Sequence, residues 1–354
     1  AVAVGGSIWF FGFTICLGIM MAIAPIAARL YGAGNQELIG RYTRQAIYFA
    51  IIIAVIIIVA FHQFVGSALT EIGIDPEFRG ITEGYVLAIV WGAPGIFVFL
   101  ALRFTTEGIG ETKPIMYASV SSLVINVFLN WVFMFGNLGA PALGAVGCGI
   151  ASAITMWTIM FGLGIYIWRA KKYEPLKIFA HVGKLRPNVI KEILVLGVPI
   201  AVMITAEAGL FNAVSVLMGT RGAAIAAAHQ VAINFAMTTF MIPLALSSAI
   251  TVRVGHALGA GNPVAARFSG TIGIATCAIF MMCSAAVMLL FRDTVVLIYT
   301  NDPAVTSIAV SLLLAAAIFQ IGDGVQIGAA GVLRGYKDTS FPMVINIFAY
   351  WVMA

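Results

Sequence analysis

The chain has 354 residues, of which 62% are hydrophobic and 9% are charged, and its formal net charge is +5. A soluble domain carries about 25% charged residues, so this composition excludes a protein that exposes most of its surface to water. The apolar runs suit α-helices that cross a hydrocarbon core about 30 Å thick, and they lack the short alternating segments of a membrane β-barrel. We therefore predict an all-α polytopic membrane protein.

Nine full apolar spans follow one another along the chain, and a tenth begins near Phe341. Four spans contain a proline in their interior, where the missing N–H kinks a helix. The nine spans are 3–30, 45–69, 84–104, 114–135, 146–168, 193–218, 222–250, 268–291 and 304–333, and the prolines are Pro25, Pro94, Pro199 and Pro243.

The basic residues indicate which helix ends share a side of the membrane. All but three of the 19 Lys and Arg residues fall on one alternate set of helix ends and loops, and the exceptions are Arg79, Arg221 and Arg292. Because cytoplasmic loops are enriched in Lys and Arg, we predict that the larger set is cytoplasmic. This placement explains the positive charge without a nucleic-acid partner.

Polar and turn residues recur at an offset of 227 residues, which indicates an internal repeat. The matching pairs are Gly32-Ala33-Gly34-Asn35 with Gly259-Ala260-Gly261-Asn262, Asp75-Pro76 with Asp302-Pro303, and Thr112 with Thr339. An even number of spans separates equivalent positions, so the two halves share one orientation, as parallel repeats do.

The repeat predicts a domain organisation of two six-helix lobes. We expect an N-terminal lobe at 1–168, a basic cytoplasmic linker at 169–192 and a C-terminal lobe at 193–354. One helix precedes the matched span in the second half, and the first half lacks its counterpart. The full protein is therefore expected to have twelve helices, of which the first and the last one to two are missing from this sequence.

Two acidic residues lie deep inside apolar spans. Glu207 is in the middle of the span 193–218, and Asp323 lies at a similar depth in the span 304–333. An ionisable side chain at the bilayer centre costs about 2.5–3.5 kcal/mol even on translocon-insertion scales, and such residues mark ion or substrate pathways. We predict that both acids face one site between their helices.

Basic residues lie at helix ends, which leaves a proton, a metal cation or an organic cation as the partner of these acids. A carboxyl group in a water-poor site takes up a proton readily, whereas a bound cation favours its ionised form. Such a group can exchange one cation for another, which is the chemistry of an antiporter. In the alternative interpretation, each acid is protonated or hydrogen-bonded and only joins helices.

Neutral side chains of the span 222–250 are candidates for the same site. Gln230 and Asn234 are four residues apart and share one helix face, where they either contact a substrate or hydrogen-bond to another helix. His229 lies on the neighbouring face and is a weaker candidate for a proton relay.

Aromatic residues accompany both acids. Phe211 is four residues after Glu207, and Phe319 is four residues before Asp323. Aromatic faces attract organic cations, although packing in the core explains these positions as well.

The sequence offers little support for an enzyme or a metal centre. The four cysteines lie in or beside apolar runs without the spacing of metal ligands. The chain also lacks a His-Glu-x-x-His string and a convincing pair of nucleophile and base. We therefore predict that the chain is not an enzyme and needs no cofactor.

Five short strings carry a resemblance to a known family. They are Gly6-Ser7-Ile8-Trp9, Gly144-Ala145-Val146-Gly147-Cys148-Gly149, Ala228-His229-Gln230-Val231-Ala232, Arg253-Val254-Gly255-His256 and Leu333-Arg334-Gly335-Tyr336-Lys337-Asp338-Thr339. With these strings the chain resembles, over essentially its whole length, the multidrug and toxic compound extrusion (MATE) family, in its NorM-like bacterial branch. The resemblance implies two lobes around a cleft that opens alternately, and export of organic cations such as fluoroquinolones and dyes in exchange for Na⁺ or H⁺.

The resemblance also implies roles for single residues. A glutamate and an aspartate that take part in cation coupling in that family match Glu207 and Asp323, which are then the ligands of Na⁺ or the carriers of H⁺. Substrate-site positions of the family match Phe211, Gln230 and Ser7.

Two features depart from the family pattern. The family's first-lobe aspartate belongs to the missing first helix. Phe319 stands where NorM-like sequences commonly have tyrosine, and the missing hydroxyl weakens the case for Na⁺ over H⁺.

Together these inferences predict a monomeric, multi-pass antiporter of the bacterial inner membrane whose partners are small organic cations, Na⁺ or H⁺, and the lipid bilayer. The alternative is a flippase for lipid-linked saccharides, which shares such a fold. An anionic headgroup favours basic residues in the cavity, whereas here they lie at helix ends. A channel or a passive scaffold would leave the two acids unexplained.

Overall fold

The computed structural model describes residues 2–71, 75–180 and 183–353, and this part of the chain is helical with connecting turns. The helices are α1 (Val2–Met21), α2 (Ile23–Gly32), α3 (Gln36–Glu71), α4 (Pro76–Val90), α5 (Ala93–Gly108), α6 (Lys113–Phe133), α7 (Gly144–Arg169), α8 (Pro187–Thr220), α9 (Ala223–Gly259), α10 (Pro263–Leu290), α11 (Arg292–Leu297), α12 (Pro303–Gly335) and α13 (Ser340–Phe348). A 3₁₀ helix lies at Lys171–Leu176, and a π-helical turn follows α13 at Ala349–Met353.

The chain forms two compact units, Ala1–Val202 and Met203–Ala354, and the boundary between them lies within α8. The largest cluster of buried apolar side chains belongs to the N-terminal unit. In the C-terminal unit, α9, α10 and α12 pack against one another. The lobe boundaries predicted from the sequence, including the linker at 169–192, stay a prediction.

The nine predicted spans are present in the described ranges. Eight helices or continuous helix pairs are long and apolar enough to cross a membrane, and α4 with α5 makes a ninth span that is bent by 44°. The tenth predicted span corresponds to the shorter apolar helix Ser340–Val352. The all-α polytopic fold class is thereby confirmed.

Two of the four intramembrane prolines follow closely on the end of a helix. α1 ends at Met21 and α4 ends at Val90, four residues before Pro25 and Pro94 respectively. A proline cannot donate the hydrogen bond that the carbonyl group four residues earlier would accept, so the helix is interrupted at that carbonyl. The other two prolines lie inside the continuous helices α8 and α9.

The turns at the two Gly-Ala-Gly-Asn strings have the same backbone geometry. Gly34 and Gly261 have φ angles of 73° and 72°, in the left-handed region that glycine adopts without steric cost. In each turn the backbone N–H of the asparagine donates to the carbonyl group five residues earlier, at 2.9 Å. The repeat at an offset of 227 is therefore confirmed at these turns.

The same offset relates two close helix crossings. A Cβ atom on Gly108 would lie 2.7 Å from Cβ of Ala27, where α5 crosses α2. A Cβ atom on Gly335 would lie 2.7 Å from Cγ1 of Val254, where α12 crosses α9. Each unit thus contains one crossing that requires glycine at the equivalent position.

Candidate cation site

One face from each of α8, α9 and α12 lines a cavity of about 320 Å³ in the C-terminal unit. The lining positions recur every three or four residues along α9 and α12, which is the spacing of a single helix face. The polar lining residues are Glu207, His229, Gln320 and Asp323, and the aromatic ones are Phe211, Phe240 and Phe319.

The cavity brings the two intramembrane acids together. Glu207 comes from α8 and Asp323 from α12. The two carboxyl groups are close enough to interact electrostatically. Within the described part of the chain neither carboxyl group forms a salt bridge, and none of the lining residues is Lys or Arg. A site with two acids and no fixed positive charge is complementary to a cation.

The two predicted aromatic residues line this cavity next to the acids. Phe211 follows Glu207 by one helical turn, and Phe319 precedes Asp323 by one turn. Phe240 joins them from α9 and was not predicted from the sequence. The chain contains 24 Phe residues, so helical spacing alone did not distinguish Phe240 from packing residues.

Gln230 and Asn234 share a helix face as predicted, since Nδ2 of Asn234 donates to the Gln230 carbonyl oxygen at 2.9 Å. Both side chains are exposed, and neither is among the residues that line the cavity. His229 lines it instead, and its Nε2 atom is buried without a hydrogen-bond partner among the described residues. Ser7 lies on α1 in the N-terminal unit and is exposed. The substrate-binding roles of Gln230, Asn234 and Ser7 stay predictions.

Gln320 was not singled out by the sequence analysis, yet it joins three helices beside the acids. Its side chain is 2% exposed and accepts a hydrogen bond of 3.0 Å from Ser284 Oγ on α10. Its Nε2 atom donates to Thr239 Oγ1 on α9 at 2.6 Å. Because Gln320 and Asp323 are three residues apart on α12, this junction fixes the rotation of the helix that carries the aspartate.

We expect Gln320→Leu to lower the free energy of unfolding by about 1–3 kcal/mol, because the buried hydroxyl of Ser284 loses its acceptor. The measurement is denaturant or thermal unfolding of the purified chain in detergent. Ser284→Ala and the double substitution complete a double-mutant cycle. The double variant should lose less stability than the sum of the two single losses. Additive effects would show that the two side chains do not act together.

The segment after α12 brings a phenol near the acid pair. Gln326 Nε2 donates to Tyr350 OH at 2.9 Å and to Asn346 Oδ1 at 3.1 Å. Tyr350 is also close enough to Glu207 and Asp323 to interact electrostatically with both. The Trp351 indole donates to the carbonyl oxygen of Ala206, the neighbour of Glu207. Sequence reasoning had no local signal for this arrangement, because the partners come from separate helices.

The described residues contain no group of three or more His, Cys, Asp or Glu side chains that could hold a metal ion. A cation in the cavity would therefore rely on the two carboxylates and on neutral groups. Na⁺ binding at Glu207 and Asp323 stays a prediction.

Comparison with known proteins decides the family. The MatE family profile matches residues 1–132 and 199–354, which is most of the chain. The chain belongs to the MatE family. It is 36% identical over 353 residues to the multidrug resistance protein NorM of Aliivibrio fischeri, covering 100% of this chain and 76% of that protein. It is also 36% identical over 353 residues to the multidrug resistance protein MdtK of Photorhabdus laumondii subsp. laumondii, covering 100% of this chain and 77% of that protein.

Solved structures share the fold at low sequence identity. An outward-facing multidrug resistance MATE transporter of the MOP superfamily has a TM-score of 0.89 at 19% identity, covering 99% of this chain and 78% of that chain. A MOP superfamily transporter from Pyrococcus furiosus, whose reversed pocket polarity suggests a different function, has a TM-score of 0.86 at 19% identity, again covering 99% and 78%.

Membership in the MatE family places the chain among transporters rather than enzymes. Together with the apolar helices, the family places it in the bacterial inner membrane as a multi-pass protein. The expected twelve-helix fold is consistent with these relatives.

Proposed function

We propose that this MatE protein exports organic cations in exchange for Na⁺ or H⁺. The observation that carries the proposal is the cavity in which Glu207 and Asp323 share a lining with three phenylalanines. The carboxylates attract a cation by charge, and the ring faces attract delocalised positive charge. A volume of about 320 Å³ also lies at the lower end of drug-sized ligand sites, which begin at about 300 Å³.

The relatives support export of more than one compound. Both the Aliivibrio and the Photorhabdus relatives are multidrug resistance proteins. Apart from the four polar and three aromatic residues, the lining is aliphatic or thioether and includes Met218 and Met237. Methionine is unbranched and polarisable, so it adapts to ligands of different shapes.

Exchange follows when drug and coupling ion compete for the same two carboxyl groups. Loading Glu207 and Asp323 with Na⁺ or protons removes the negative charge that attracts the organic cation. Thermodynamic linkage then requires that the bound drug weakens ion binding by the same factor. Alternating access of this cavity to the two sides of the membrane converts the competition into antiport.

The charge of the cavity argues against the alternative of a flippase for lipid-linked saccharides. An anionic headgroup needs a basic partner, and the described lining residues include neither Lys nor Arg. Since all lining residues belong to one unit of one chain, we further propose that the monomer is the active form.

The experiment is efflux of a cationic dye from vesicles containing the purified chain, first under a Na⁺ gradient alone and then under a pH gradient alone. We expect one of these gradients to drive dye efflux. We expect no efflux once both gradients are dissipated. The gradient that drives efflux identifies the coupling ion. Efflux that persists without any gradient, and without exchange of internal for external dye, would contradict a carrier.

A further inference from the structure

A second cavity, of about 330 Å³, lies where α7 ends and the 3₁₀ helix begins, within the N-terminal unit. Its charged lining residues are Arg169, Lys171, Lys177 and Glu174, so basic groups exceed acidic ones by three to one. Arg169 is the last residue of a helix long enough to span the membrane, which puts the cavity at the membrane surface.

Two of the basic groups are available to a ligand. Arg169 and Lys171 are exposed and have neither a hydrogen-bond nor an ion-pair partner within the ranges that the structure describes. Lys177 has only a solvent-exposed contact with Glu37, at 3.6 Å. An exposed pair of this kind is weak and does not prevent Lys177 from contacting an anion.

The lining also contains a buried donor without an acceptor. Tyr173 is 2% exposed, and its hydroxyl oxygen has no hydrogen-bond partner among the described residues. Burial raises the pKa of this phenol, so the group stays protonated and able to donate. A buried hydroxyl without a partner is unfavourable, and a ligand oxygen in the cavity would satisfy it.

The backbone around the cavity is held in place before any ligand binds. The Arg44 guanidinium donates to the carbonyl oxygens of Lys177 and Ile178. Gly40 of α3 lies against the Leu176 carbonyl group, with no room for a side chain. A preformed site avoids the entropy cost of ordering a loop on binding.

The surface that leads to the cavity is suited to hydrocarbon. Phe161, Ile165 and Trp168 are all exposed and are spaced by four and three residues, so they form one stripe along α7. Trp168 belongs both to this stripe and to the cavity lining. Exposed tryptophan at a helix end is typical of the membrane interface.

We propose that this cavity binds the headgroup of an anionic phospholipid, with Arg169, Lys171 and Tyr173 contacting the phosphate and the acyl chains lying along the stripe of α7. Clusters of basic residues next to a membrane helix bind anionic lipids, and pockets of this kind hold their headgroups. A soluble phosphate compound would use the basic groups but would leave the apolar stripe unused.

The test is titration of the delipidated chain with phosphatidylglycerol or with phosphatidylcholine of identical acyl chains, followed by native mass spectrometry. One phosphatidylglycerol molecule should bind at least about tenfold more tightly than phosphatidylcholine. The double substitution Arg169→Gln with Lys171→Gln should weaken this binding by about tenfold or more, since each basic residue near an anionic surface contributes about fivefold. Tyr173→Phe keeps the ring and should weaken binding severalfold.

The matched control is Lys184→Gln with Lys191→Gln, which removes the same charge from the same basic segment but outside the cavity lining. It should keep the affinity of the unchanged chain. Equal loss in the control, or equal binding of the two lipids, would overturn the proposal. Sodium phosphate at the concentration of the lipid should not displace it, and displacement would assign the site to soluble anions.

Discussion

Glu207→Gln should abolish cation-driven dye efflux while leaving the chain folded in the membrane. Glutamine has nearly the same shape as glutamate, but it carries no negative charge and does not take up and release a proton. The cavity contains one other acid, Asp323, and no Lys or Arg among its described lining residues, so the loss of one carboxylate removes half of its negative charge. The measurement is efflux from vesicles under the gradient that drives the unchanged chain.

The control is Asp293→Asn, which neutralises an acid of the same unit whose side chain is 76% exposed and lies outside the cavity lining. This variant should transport normally. In the Glu207→Gln variant, Na⁺ or protons should also have a smaller effect on equilibrium dye binding, because one of the two carboxyl groups that link the two ligands is lost. Normal coupled efflux by Glu207→Gln would refute the assignment.

Asp323→Asn should have the same effect, and the double substitution should be hardly worse than either single one. Groups that act as one unit show strongly non-additive losses. Two acids that served separate purposes would instead give losses that multiply. This comparison therefore tests whether Glu207 and Asp323 form one site, which their common cavity indicates.

The helices were predictable because the bilayer sets a length that the sequence must match. Each predicted span corresponds to a helix or a bent pair in the described ranges. Kinks were predicted in the four spans that contain proline, and two of these spans break, at Met21 and Val90, four residues before the proline. Pro199 and Pro243 lie inside the continuous helices α8 and α9, as membrane helices tolerate where other groups satisfy the freed carbonyl group.

The acid pair was predictable for an energetic reason. An ionisable group in an apolar span is costly in any environment, so its presence alone indicates a site. The choice of neighbours on α9 was harder, because adjacent residues differ by about 100° around a helix. The cavity is lined by the face of His229 and Phe240, next to the face of Gln230 and Asn234 that was predicted.

The polar junctions were not predictable from one sequence. Gln320 and Thr239 are 81 residues apart, and Gln326 and Tyr350 are 24 residues apart on separate helices. A lone amide in an apolar helix shows that a partner is needed, but many hydroxyl groups could fill that role. Only the packing of the helices selects Thr239 and Tyr350.

Phe319→Ala should raise the KM for a cationic dye by about 2- to 30-fold, since a cation–π contact is worth about 0.5–2 kcal/mol. Phe319 lines the cavity, but its side chain is 49% exposed, so its removal should cost little stability. The matched control is Phe268→Ala on α10, where the ring is 68% exposed and lies outside the cavity lining. The measurement is initial efflux rate against dye concentration at a fixed gradient.

Comparison of a cationic dye with an uncharged dye of similar size separates attraction of charge from packing. If the ring attracts charge, Phe319→Ala raises the KM of the cation more than that of the neutral dye. Phe319→Tyr keeps the ring and should keep the low KM, and it adds an oxygen one helical turn from Asp323. That oxygen is an additional ligand for a hard cation, so efflux by this variant should depend more steeply on Na⁺. Equal effects of Phe319→Ala on both dyes would show that the ring only packs.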